Sequence, residues 1–120
     1  MAFPLAQDAA LSRIFEANAR SLLPPQNISA GGDMTGSTDM GDLSHLMPCI
    51  HPLLGGFSGA LHSRDFRVAD PEAACILPAK LMAMAVVDLL ADQAAVGRRI
   101  QEEFTPLMTK QEYLCGLKKN

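Results

Sequence analysis

The stretch from Asp70 to Ala91 constrains this chain more than any other part of it. Asp70-Pro71 reads as a helix cap followed by proline at the first helical position, where an N–H is unpaired in any case. The helix it opens is apolar nearly all round. Ile76, Leu77, Leu81, Met82, Val86, Val87, Leu89 and Leu90 fall on several sides, while Lys80 and Asp88 are the charges within the apolar run. Positions 80, 84, 88 and 92 form a drifting i,i+4 row, so the polar stripe is narrow and the helix needs burial on several sides. A membrane span is the rival reading. Lys80, Asp88 and Pro78 interrupt the run below the length a bilayer requires, so a globular core helix is expected instead. Pro78 removes one hydrogen bond to Ala74 and is expected to kink it.

The rest of the composition agrees with one small globular domain. The 120 residues are 48% hydrophobic and 19% charged, which is not the composition of a disordered chain. A chain this short buries only about two-thirds of the surface its unfolded form exposes. The net charge is −3, and no basic cluster occurs beyond Lys118-Lys119, so a nucleic-acid partner is not expected. Cys49, Cys75 and Cys115 are odd in number and lack C-x-x-C spacing. That argues against a zinc ribbon and a disulfide framework, and a reducing cytoplasm is the expected compartment. The opening Met1-Ala-Phe-Pro has no basic region and no long apolar run, so no signal peptide is expected.

Three further elements are legible. Residues 7–23 read as an amphipathic helix with Leu11, Ile14, Phe15 and Leu22 on one face; Asp8 caps it and Pro24-Pro25 stops it. Residues 24–36 read as loop. Residues 38–46 form a short helix, and Cys49–Leu54 is expected to be a buried strand ended by Gly55-Gly56, with Phe66–Val68 a second possible strand. Residues 93–108 read as a last helix with Val96, Ile100, Phe104 and Leu107 on one face.

The candidate chemistry lies in three groups. In the run Gly36-Ser37-Thr38-Asp39, small residues let a backbone approach a ligand, and a helix opening at Thr38 offers free N–H groups to an anion. The plainer reading is an ordinary N-cap after a glycine loop. The histidines are His45, His51 and His62, with no recognised metal spacing. His51 lies in an apolar run and reads as a hydrogen-bonded core histidine, whereas His62 lies in a loop from which a side chain reaches a cleft. Asp39 and Asp42 share a helix face at i,i+3, where two carboxylates can serve a metal or acid–base chemistry, or one cap and one solvated charge.

Three blocks in order carry a resemblance: Gly36-Ser-Thr-Asp-Met-Gly-Asp-Leu-Ser-His45, then Leu46-Met-Pro-Cys-Ile-His-Pro52, then Ala60-Leu-His-Ser63 with Phe66. Together they resemble the end of amidohydrolases of the M20 peptidase family, in the branch related to aminobenzoyl-glutamate hydrolases and aminoacylase-like dipeptidases. The likeness runs from about residue 8 to about residue 92. It implies hydrolysis of N-acyl amino acids or dipeptides with two zinc or manganese ions. It also implies an α/β sandwich catalytic domain, split in sequence by a lid domain. Residues 1–120 would be the C-terminal portion of that domain, with three main helices and a few strands. By the same resemblance His62 is a metal ligand, and Gly36, Ser37, Thr38 and Asp39 line the substrate pocket. The family's His-x-Asp motif, bridging Asp and Glu-Glu pair lie earlier in its chains and are missing here, as is the lid. One imidazole is too few ligands for a zinc site, so the chain is expected to be inactive alone. The expected partners are a second copy of the chain or a missing half on another polypeptide. The alternative is a non-catalytic remnant that oligomerises and binds a small carboxylate.

Overall fold

The computed structural model describes residues 3–31 and 38–117, and within them the chain is mixed but predominantly helical, with one two-stranded sheet. Helix α1 spans Ala9–Leu22. The Asp8 carboxylate accepts from the Leu11 N–H at 2.8 Å, the bond expected of an N-cap. The helix stops before Pro24, and a single 3-10 turn, Pro25–Asn27, follows. Helix α2 spans Asp39–Ser44, opened by Thr38, whose hydroxyl accepts from the Met40 N–H at 3.4 Å.

Strands β1 (Phe57–Ser58) and β2 (Arg67–Val68) pair antiparallel, Phe57 opposite Val68 and Ser58 opposite Arg67. The rings of Phe57 and Phe66 stack at 5.1 Å beside this ladder. The expected strand at Cys49–Leu54 does not form. Pro52 removes a ladder donor, and two of the remaining backbone groups are engaged elsewhere. The Cys49 carbonyl accepts from the Asp8 N–H at 2.8 Å, and the His51 N–H donates to the Gln7 side chain at 3.1 Å. The segment is fastened to the N-terminal residues rather than to a sheet.

Asp70 caps the next helix as expected, its carboxylate accepting from the N–H groups of Glu72 and Ala73. Pro78 produces a local change of register. Residues Glu72–Ile76 form a π turn in which the Leu77 N–H reaches back to Glu72, and α3 (Leu77–Glu103) follows. A proline that lacks an N–H is accommodated by widening the turn before it. Between Ala91 and Ala94 the backbone leaves the helix: Ala91 is extended, and Asp92, Gln93 and Ala94 are left-handed. α3 therefore has two limbs. Gly97 lets the second pass close to the first, because a Cβ there would lie 2.9 Å from the Leu89 carbonyl. The second limb ends at Glu103, not at 108 as the periodicity suggests. Pro106 disfavours helical geometry before it, and the N–H groups of Leu107 and Met108 turn to the His45 carbonyl. Helix α4, Lys110–Leu117, then closes the described chain.

The core is small. α1 packs against α3, with Ala19, Leu81 and Ile100 buried. Val96 and Ile100 face Ala10 and Ile14 across a cleft of about 330 Å³. The opposite side of α3 stays exposed, including Met82, Val86, Val87 and Leu90.

Candidate functional site

His62 sits in the loop Gly59–Phe66 between β1 and β2, just ahead of α3. The sequence makes this loop tight. Gly59 takes φ +88, and a Cβ there would strike the Asp65 carbonyl, so only glycine permits the closure. The Ser63 hydroxyl donates to the Ala60 carbonyl at 2.8 Å and accepts from the Asp65 N–H at 3.2 Å. The Ser63 N–H also donates to the Ala60 carbonyl, and the Phe66 N–H to the Ser63 carbonyl. At the apex His62 is exposed, with φ 61, a left-handed conformation that costs a residue bearing a Cβ. Its imidazole makes no hydrogen bond among the described residues. In the ladder itself, the Ser58 hydroxyl is shielded from solvent and likewise has no partner among them.

The second expected site falls only partly within the described residues: Gly36 and Ser37 lie outside them. Thr38 is half-buried as the α2 cap, and Asp39 is exposed in the first turn. Asp39 and Asp42 share a helix but not a task. Asp42 accepts from the Phe3 N–H at 2.9 Å and from the Tyr113 hydroxyl at 2.9 Å. Those two donors, the backbone one first, hold its carboxyl below the usual carboxylate range, and the same bond raises the Tyr113 phenol.

The rest of α2 is structural in the same way. The Ser44 hydroxyl, buried, accepts from the Ala6 N–H at 2.9 Å and donates to the Gly41 carbonyl at 2.6 Å. His45 is buried, its ring 5.1 Å from that of Phe3. Its Nε2 lies 2.9 Å from the Pro4 carbonyl; a carbonyl only accepts, so Nε2 carries the proton. The buried, hydrogen-bonded histidine is thus His45. His51, expected in the core, is exposed, because its segment runs over the surface against Gln7. These contacts tie residues 3–8 across α2 as a strap. The polar residues 42, 44 and 45 around the small Gly41 were visible in the sequence; that they face the chain's own N-terminal segment was not.

No hydrogen bond joins the His62 loop to α2 among the described residues. Nor do three His, Cys, Asp or Glu side chains converge as metal donors among them. The Glu-Glu dipeptide of this chain, Glu102-Glu103, is exposed at the end of α3. Cys49 is buried, and burial pushes its thiol up, while Cys75 and Cys115 are exposed and separate. Among the described residues His62 is the exposed imidazole held in a glycine-closed loop. Comparison of the chain with protein-family models, curated proteins and solved structures found no match.

Proposed function

We propose that this chain contributes the C-terminal part of an M20-type amidohydrolase catalytic unit acting on N-acyl amino acids or dipeptides. In this reading His62 gives one ligand to a zinc or manganese centre, and Gly36, Ser37, Thr38 and Asp39 line the substrate pocket. The observation that carries it is the backbone of His62. A left-handed residue at the tip of a glycine-closed hairpin is cheapest as glycine. An imidazole held there, exposed and unbonded, is placed for its side chain. In sequence it lies ahead of the long apolar helix, as the metal-binding histidine does in the resemblance, with β2 intervening here.

Among the described residues no three metal donors converge; in this reading the remaining ligands and the general base come from residues outside these 120, and no catalytic step is assigned to this chain alone. A second reading, a non-catalytic self-associating module, is favoured by the exposed face of α3. Hydrolysis of an N-acyl amino acid with added zinc or manganese tests the first. The chain alone is expected to be inactive. Supplying a polypeptide that carries the His-x-Asp, bridging Asp and Glu-Glu blocks is expected to give metal-dependent turnover that His62→Ala removes and His51→Ala preserves. Turnover by the chain alone, or restored turnover indifferent to His62→Ala, refutes the reading.

A further inference from the structure

The face of α3 turned away from α1 is apolar and open. Leu81, on the packed side, is 1% exposed, whereas Ile76 is 45%, Met82 69%, Val86 52%, Val87 66% and Leu90 63% exposed. Ile76, Ala79, Ala83, Val86 and Leu90 follow one another in steps of three, four, three and four residues. That is the spacing of a heptad seam, which keeps one stripe facing a partner helix along its whole length.

We infer that this seam is a self-association surface, pairing α3 with α3 of a second copy, antiparallel about a two-fold axis near Ala83. The inference is independent of the amidohydrolase reading. Three observations select a second copy as the occupant. Inversion about Ala83 sets Ile76 opposite Leu90, Ala79 opposite the adjacent Val87 and Val86 opposite the aliphatic stem of Lys80, large against large at the ends and small against large near the middle. The stripe is therefore complementary to itself, as a two-fold interface requires. The small Ala79 and Ala83 let the helices approach closely at the axis. The exposed side chains leave apolar surface on the order of 500 Å² on each copy, so pairing buries about 1,000 Å², the size at which an interface becomes stable. Finally, the flanking charges cancel on their own helix: Lys80 and Glu72 pair at 3.3 Å, so identical faces meet without strong repulsion.

A lipid bilayer is the competing occupant, because Glu72–Glu103 is long and apolar enough to cross one, with a mean hydropathy of 1.9 in its most apolar window. Three features oppose it. The backbone reverses at Asp92–Ala94. Asp88 accepts from the Asn18 side chain of α1 at 2.8 Å. Inserting α3 would also drag in α1, whose exposed residues include Arg13, Glu16 and Arg20.

Sedimentation equilibrium of the intact chain at micromolar concentration is the test. The expected result is a dimer. Ala83→Arg, at an exposed helix position, is expected to raise the dissociation constant more than about a hundredfold by bringing two cations together at the axis. Mixing Ala83→Arg with Ala83→Glu is expected to restore a dimer, a rescue that a misfolded variant cannot give. A monomeric wild-type chain overturns the inference, as does a dimer indifferent to Ala83→Arg or an unrescued mixture. Flotation of the wild-type chain with phosphatidylcholine–phosphatidylglycerol vesicles, abolished by Ala83→Arg, also overturns it and assigns the face to lipid.

Discussion

Replacing Gly41 by alanine sets two effects of opposite sign against each other. Alanine is the better helix former, and in a helix interior the exchange is worth about 1 kcal/mol in its favour. Gly41, however, is buried under the N-terminal strap, and a Cβ on it would strike the Phe3 carbonyl oxygen and lie 3.2 Å from the carbonyl carbon. Both are backbone atoms that no rotamer change moves aside, so the strap has to lift. Lifting it breaks the bonds from the Ala6 N–H to Ser44 and from His45 to the Pro4 carbonyl, which end on buried side chains. Each is worth roughly 0.5–1.5 kcal/mol, so about 1–3 kcal/mol is lost against at most about 1 gained. The expected net effect is a destabilisation of up to about 2 kcal/mol, with the strap loosened. Gly116→Ala is the control: nothing lies within 4 Å of its added Cβ, so stability is expected to stay level or rise. Urea unfolding followed by circular dichroism, at one fixed protein concentration, measures both. Gly41→Ala exceeding the wild-type midpoint would show that the strap does not rest on α2 as described.

Two other expectations follow from the same geometry. The Phe3 N–H and Tyr113 hydroxyl lower the folded-state pKa of Asp42. Its contribution is therefore present above the unfolded-state pKa and is lost as pH falls through the folded one. Asp42→Asn is expected to flatten the acid limb of the stability–pH curve, and an unchanged limb would remove Asp42 from that role. At His62, glycine relieves a left-handed penalty of about 1–2 kcal/mol but adds unfolded-state entropy worth roughly half of that. His62→Gly is thus expected to be as stable as wild type or slightly more so, and the β-branched His62→Val less stable. Urea midpoints in the reverse order would contradict the strain at this position.

Local chemistry wrote several elements directly into the sequence. Asp8 and Asp70 cap helices because a carboxylate one residue before an apolar run meets the free N–H groups of the first turn, and both bonds depend on neighbours only. The end of α1 before Pro24 and the short helix after Thr38 were legible for the same reason, and the division near residues 91–93 followed from periodicity. The hairpin loop around His62 was legible as a loop from its glycines and serine, though its left-handed apex was not.

What the sequence alone did not decide depends on residues far apart in the chain. Cys49–Leu54 has the apolar character of a strand, yet its backbone is bonded to Gln7 and Asp8, a pairing that periodicity does not encode. His51, expected in the core, is exposed and His45 is buried instead, because the N-terminal strap crosses α2 and not the later segment. Asp42 looked like half of a carboxylate pair until Phe3 and Tyr113 claimed both its oxygens from opposite ends of the sequence. Periodicity likewise showed that α3 was apolar on every side, but only the fold decided which side α1 covers and which remains open, because that choice belongs to packing between elements.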